Sequence, residues 1–387
     1  MKKVGFFLIP TTKWVGGINY FKNLFDAINE VIDPSLEILI FLPKNISKEM
    51  LDMLNLDELN VKIIRTSMLQ RYSFYWLVWK LVRKFFNSDI AALPLCIYQG
   101  ISIISHSDFA KIPGIKIINW IPDFQHNHLP QMFSASEIKA RHKEYSRLIY
   151  GAHKIIVSSH DAAKDLARFY PNKKGDIFVM PFACRVPDFY WTLAEKDWQS
   201  ISNKYKIQRH FFYVPNQFYK HKNHFILVDA VRILKNRGIN IQIVLSGATF
   251  DPRDEGYFPK FQRYISDQNC EDSFQILGFI DSKDIFSLLR FSLAIINPSR
   301  FEGWSTTVEE CKSSGKIAVV SNLAVHCEQM PEALMFPPDN ADLLANHLEE
   351  ILRCEVDGTG RTSSKIIKIN KNRIISFGKN YIGILGL

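Results

Sequence analysis

Two carboxylates eight positions apart, Glu302 and Glu310, stand in a stretch from Asn297 to Gly315 that can serve a phosphorylated or hydroxyl-rich ligand. The apolar run Leu293 to Ile296 ends just before it, Gly303 permits a tight loop, and Ser305 or Thr306 can cap a helix that Gly315 terminates. A helix N-terminus at the carboxyl end of a strand offers free N–H groups and a positive dipole, which suit an anion. A plainer reading fits the same letters, since Thr306 with Glu309, or Thr307 with Glu310, makes a capping box. A second loop, Tyr213 to His224, brings Lys222 close to another expected helix start at Asn223, where an ammonium can neutralise a diphosphate. Lys220-His221-Lys222 is equally compatible with a solvated basic turn. Asp123, His126 and His128 gather within six positions, but no further ligand set accompanies them and the chain has no Asp-x-Asp pair, so metal-independent chemistry is expected.

The elements that must carry these residues alternate short β-branched runs with longer helix-period segments, the rhythm of parallel sheets covered on both faces. In the first half, strands are expected at Val4 to Ile9, Leu36 to Leu42, Val61 to Arg65, Ile101 to Ser105, Ile115 to Ile118, Lys154 to Val157 and Ile177 to Met180. Helices are expected at Gly17 to Val31, Leu69 to Phe86, Ala135 to Tyr150 and Asp161 to Phe169. Pro181 to Tyr190 reads as a linker, after which strands follow at Phe211 to Val214, Ile241 to Ser246, Phe274 to Leu277, Leu293 to Ile296 and Ile317 to Val320. The fold class is therefore α/β, with two Rossmann-like domains facing across a cleft: residues 1–187, residues 188–364, and a segment 365–387 that returns to the first domain as a helix. A chain of 387 residues agrees with that division, because single cores stop growing beyond roughly 250 to 300 residues.

Composition narrows the class further. Apolar residues make up 47 % and charged residues 22 %, which excludes a disordered or collagen-like chain. The six cysteines form no C-x-x-C pair, arguing for a reducing compartment and against a zinc ribbon. The net charge of +9 is uneven: residues 1–187 carry 24 Lys and Arg against 16 Asp and Glu, and the remainder 24 against 23. No apolar stretch approaches the roughly 20 residues that span a bilayer.

Pro298-Ser299-Arg300-Phe301-Glu302-Gly303, with Glu310 as the second carboxylate, resembles the signature of retaining glycosyltransferases of the GT-B fold, glycosyltransferase family four (glycosyl transferases group 1). The resemblance runs from about Val4 to about Leu352. It implies that Glu302 contacts a donor sugar, that Glu310 contacts the nucleotide ribose, and that Lys222 holds the pyrophosphate. The family's Arg in that loop is missing here, with Asn216 or Gln217 in its place. Gly303, Trp304, Ser305 and Thr306 would line the donor phosphates, with backbone N–H groups near Trp304 and Ser305 as donors. Ser246, Gly247, Phe279 and Ile280 would line the base and ribose, and Gly16 and Gly17 would lie beneath the donor phosphate. Asp123 matches the acceptor-side segment, where Pro122 replaces the usual His and His126 is the substitute.

The implied activity is retaining transfer of a sugar from a nucleotide-diphosphate sugar to a hydroxyl of a saccharide or lipid-linked acceptor, in cell-surface polysaccharide assembly of bacterial type, with no cofactor and no metal. Two rivals remain at this point. A nucleotide-sugar epimerase of similar fold would interconvert its substrate without an acceptor. A non-catalytic nucleotide or nucleic-acid binding protein would show salt-dependent oligonucleotide affinity, although no nucleic-acid module is recognisable and no such partner is expected. In Leu69 to Phe86, Ser73, Lys80, Arg83, Lys84 and Asn87 gather on one side at helical spacing. Tyr72, Tyr75, Trp76 and Trp79 suit a bilayer interface. The expectation is a cytoplasmic protein that touches an anionic membrane on the inner face of the cell membrane through this basic side.

Overall fold

The computed structural model describes residues 2–11, 15–57, 59–173, 175–354 and 364–386. The chain divides into two compact units, Met1–Ala183 with Asn372–Leu387, and Cys184–Lys371. The division falls at 183/184 instead of after Pro187, and the expected linker contains the start of a short helix, Asp188–Thr192.

The first unit holds seven parallel strands: β1 (Lys2–Phe7), β2 (Leu36–Pro43), β3 (Lys62–Thr66), β4 (Ile103–Ser105), β5 (Lys116–Ile121), β6 (Lys154–Val157) and β7 (Asp176–Val179). Their order is β3-β2-β1-β4-β5-β6-β7. Central strands read as continuous apolar runs because helices cover both faces; every residue of β2 but Glu37 is buried. The second unit holds β8 (Phe211–Val214), β9 (Gln242–Leu245), β10 (Phe274–Ile276), β11 (Ile295–Asn297), β12 (Ala318–Ser321) and β13 (Leu334–Phe336), in the order β10-β9-β8-β11-β12-β13. Only β13 lacks a counterpart in the sequence reading. It is three residues long, and two of them are half-buried, so it carries almost no periodic signal.

In each sheet the strand order reverses direction once, between β1 and β4 and between β8 and β11. Connections on either side of such a switch point run to opposite faces and leave a crevice at the strands' carboxyl ends, where ligands of doubly wound sheets bind. The loops carrying Lys222 and Glu302 follow β8 and β11, the two strands that flank the switch in the second unit.

Three element boundaries differ from expectation for local reasons. The helix expected from Leu69 begins at Phe74, because Ser73 caps it by accepting the Trp76 N–H at 3.0 Å and Tyr72 takes a positive φ of 67°. The helix expected from Asn223 begins at Phe225; Lys220–Lys222 forms a 3-10 turn and Asn223 is left-handed at φ 58°. The last helix spans Ser364–Leu385, of which only Ile374 onward was legible. Its Tyr381 packs on Phe6 and His106, and Gly378 allows close backbone approach, since a Cβ there would stand 2.1 Å from the Ala27 carbonyl oxygen. No described helix is long and apolar enough to cross a membrane.

Candidate active site

The 3-10 turn after β8 and the loop after β11 meet through one ion pair, Lys222 Nζ to Glu302 Oε1 at 2.6 Å, with both side chains largely buried. Burial pushes the Glu302 carboxyl up, but Lys222, His221 and His326 outweigh it, and the pKa falls to about 2. Glu302 is thus ionised throughout the physiological range. Ser299 Oγ lies 2.7 Å from the same carboxylate oxygen. An ammonium has three N–H donors, and the glutamate engages Lys222 from one side only, so an anion can join the pair without breaking it.

The two loops are tied together by buried amides and hydroxyls. Asn223 Nδ2 donates to the carbonyls of Pro298 (3.1 Å) and Pro338 (2.8 Å), and Arg300 donates to Asn223 and to Asp339. Arg300 N–H also donates to the His221 carbonyl at 2.7 Å. Asn297, the last residue of β11, donates to Ser305 Oγ at 2.8 Å and accepts from Asn216 at 3.4 Å. Burial and the neighbouring Lys222 hold His221 and His224 down at about 3, so both are neutral packing groups.

Ser305 is the N-cap of the Thr306–Ser314 helix, and Gly315 ends it at φ 71°. Neither alternative capping box forms. Glu309 is instead fully buried, accepting from Trp304 Nε1 at 3.2 Å and Gln329 Nε2 at 3.1 Å. The expectation that the Ser305 N–H serves a ligand is corrected: it donates to Gln329 Oε1 at 3.1 Å, while Gln329 Nε2 donates back to the Ser305 carbonyl at 2.8 Å. Gln329 therefore acts as a clamp on the helix start. Gly303 and Trp304 are half-buried in the loop, Thr306 opens the helix, and Glu310 lies in its second turn. The Glu310 charge helps burial push the Tyr213 hydroxyl pKa upward, which places that carboxylate near the end of β8.

The remaining second-unit candidates separate. Ser246 is buried and its Oγ bonds Tyr213 Oη at 2.6 Å. Gly247 has φ 145°, and a Cβ there would stand 2.4 Å from the Asn216 carbonyl oxygen. Asn216 is buried and Gln217 half-buried; Asn216 accepts from Thr307 Oγ1 at 3.4 Å. Phe279 is exposed, whereas Ile280 packs in the core with Tyr190 and Phe286, because it points to the opposite side of its loop. The assignment of Ile280 to a ligand surface is corrected accordingly.

In the first unit, Gly16 and Gly17 form the first turn of the Val15–Asn29 helix that follows β1, not a loop; among the described residues, no atom beyond its own helix backbone and chain neighbours lies within 4 Å of a Cβ placed on Gly16. Asp123 follows β5 and accepts the Gln125 N–H at 2.9 Å. His126 does not reach a surface. It is buried against His142 and Tyr145, both ring nitrogens lack partners among the described residues, and burial keeps its pKa at about 4. His128 bonds Asp165 at 2.6 Å. Among the described residues no group of three or more His, Cys, Asp or Glu could hold a metal ion.

Sequence reasoning does not single out Gln329, and it names Glu309, Asn297, Ser299 and Asn223 only as cap, boundary or motif residues. Asn297 and Ser299 sit in the very stretch that drew attention, but Asn297 reaches Asn216, 81 positions away, only through the fold, and the Ser299 hydroxyl bonds Asn297 and Glu302 through a loop shape that the letters do not specify.

Residues 195–373 match the family described as Glycosyl transferases group 1. No curated protein matches the chain by sequence. Among solved structures, HepE of Anabaena in complex with UDP and glucose is similar with a TM-score of 0.71 at 14 % identity, over 100 % of both chains. A glycosyltransferase from Rickettsia africae gives 0.68 at 16 % identity, over 99 % of this chain and 97 % of that one. The sucrose-phosphate synthase of Thermosynechococcus elongatus gives 0.68 at 14 % identity, over 100 % of both. The architecture is GT-B, two Rossmann-like domains, and the match to the glycosyl transferases group 1 family falls on the second of them.

Proposed function

We propose that the protein transfers a sugar, with retention of anomeric configuration and without a metal, from a nucleotide-diphosphate sugar to a hydroxyl of a saccharide or lipid-linked acceptor. The observation that carries this reading is the Lys222–Glu302 pair at the switch point between β8 and β11. HepE, whose structure holds UDP and glucose, supports the donor class. In this reading Lys222 offers its remaining N–H donors to the diphosphate and offsets the charge that develops as the nucleotide leaves. Glu302, fixed as an anion, accepts hydrogen bonds from hydroxyls of the donor sugar. Glu310 receives the ribose hydroxyls, and the exposed Phe279 ring lies on the base side. Departure leaves an oxocarbenium-like sugar. The acceptor hydroxyl attacks from the face the phosphate has just left and passes its proton to a phosphate oxygen.

Thermal shift against a panel of uridine, guanosine and adenosine diphosphate sugars tests the donor assignment, since a ligand at 100 times its dissociation constant stabilises by about 2.7 kcal/mol. One nucleotide class should raise the melting temperature, and Glu310→Gln should abolish that rise while the protein stays folded. A panel without any shift would overturn the reading, and interconversion of the sugar nucleotide without acceptor would point to an epimerase.

A further inference from the structure

The Phe74–Phe86 helix is turned the opposite way from what its charge pattern suggests. Of its basic side, Arg83 and Lys80 turn inward, while Lys84 stays exposed. Arg83 Nε donates to Asp89 Oδ1 at 2.7 Å, Trp79 Nε1 to the same oxygen at 2.8 Å, and Lys80 lies over the buried Trp79 ring at 4.5 Å. Asp89 has no exposed side-chain surface and is further held by Arg147 Nη1 and the Ala110 N–H, each at 2.8 Å. This hub fixes the rotation of the helix about its axis. Arg83 is consequently engaged with Asp89 and Lys80 is half-buried, so the contact expected through these two residues is not the one this helix presents.

What faces out is apolar. Phe74 (74 % exposed), Leu77 (45 %), Leu81 (54 %) and Phe85 (72 %) recur at i, i+3, i+7 and i+11, one stripe along the whole helix. Tyr72, Tyr75 and Phe86 widen it. Exposed apolar patches of this extent mark interaction sites. The charge along the segment points to the occupant: Leu59 to Ser88 contains no Asp or Glu but holds Lys62, Arg65, Arg71, Lys80, Arg83 and Lys84, and the acids beside the helix, Asp89, Asp108 and Glu144, meet Lys80 and Arg83 on its packed side. Of these, Arg71 and Lys84 are exposed at the two ends of the stripe, over the rings of Tyr72 and Phe85. Aromatic and aliphatic side chains with cations at the rim suit the headgroup and acyl boundary of an anionic bilayer.

We infer that this stripe is a membrane-docking face that inserts Phe74, Leu77, Leu81 and Phe85 at the surface of an anionic bilayer, with Arg71 and Lys84 at the headgroups. The inference is independent of the transfer reading. The test is co-sedimentation of the full-length protein with vesicles of phosphatidylcholine alone or with one-third phosphatidylglycerol. The wild type should pellet with the anionic vesicles; Leu81→Glu with Phe85→Glu should weaken binding by at least about tenfold, and Lys84→Glu by less. All substituted side chains are exposed, so the melting temperature should be unchanged. Wild-type protein that stays in the supernatant would overturn the inference, as would undiminished binding by the double variant. A dimer that the same variants dissolve, without vesicle binding, would assign the face to a second copy of the chain instead.

Discussion

At the scale of single residues, the decisive feature is that Lys222 and Glu302 depend on each other for more than ligand binding. Glu302 is depressed from 4.5 to about 2, so its contribution to stability is fully present above pH 4.5 and is lost as pH falls towards 2. Removing one member of a buried pair leaves an uncompensated charge, which costs about 3 to 5 kcal/mol, while removing both is far milder. Lys222→Ala should therefore lower both the melting temperature and donor affinity. The double variant Lys222→Ala with Glu302→Gln should recover most of the stability and none of the activity. Melting curves and initial rates for the wild type, Lys222→Ala, Glu302→Gln and the double variant close a double-mutant cycle; a single variant as stable as the wild type would show that the pair is solvated in solution. The residue types and the loops that carry them were legible, because a lysine and a glutamate after apolar runs are unusual enough to notice. The pairing was not: 80 positions separate the two, and only the strand order brings them together.

At the scale of elements, the crevice depends on backbone held where side chains cannot go. Gly247 follows β9 at φ 145°, and its Hα faces the carbonyl of Asn216 in the loop after β8. An added methyl would meet both a strained conformation and a backbone atom at 2.4 Å, so the Asn216 loop must move. Gly247→Ala should cost about 1 to 3 kcal/mol and weaken nucleotide binding; a variant with wild-type melting temperature and affinity would refute the close approach. A glycine after a strand is a generic turn signal in sequence, and only the strand order shows which backbone it must admit. The Phe74–Phe86 helix teaches the same lesson about faces. Its periodicity was plain, but which side packs inward was decided by Asp89 and Arg147, which lie outside it. The length and capping of the Thr306–Ser314 helix could be read from Ser305 and Gly315, yet the clamp by Gln329 comes from another helix and left no local trace.

At the scale of the whole molecule, both units bury neutral histidines, and this gives the protein a predictable acid limit. His106 (about 3) and His126 (about 4) lie in the first unit, His221 and His224 (both about 3) in the second; burial is the largest cause in all four. A histidine depressed below its unfolded value of 6.5 binds a proton more readily when the chain unfolds, so stability is full above pH 6.5 and falls as pH drops towards the folded values. Asp108 and Asp165, raised by burial, act in the opposite sense, and Glu302 begins to matter only below 4.5. Between pH 7 and pH 5 the histidines therefore dominate, with a loss on the order of 1 to 2 kcal/mol for each at pH 5. The two units differ in sequence and in core, yet each carries such groups, the second also burying His326 with its pKa lowered, so acid should weaken both together. Calorimetric scans from pH 7 to pH 5 should show the melting temperature falling by several degrees across the whole transition. A flat profile would mean that these rings are solvated, and a fall confined to one part of the transition would assign the effect to the histidines of a single unit.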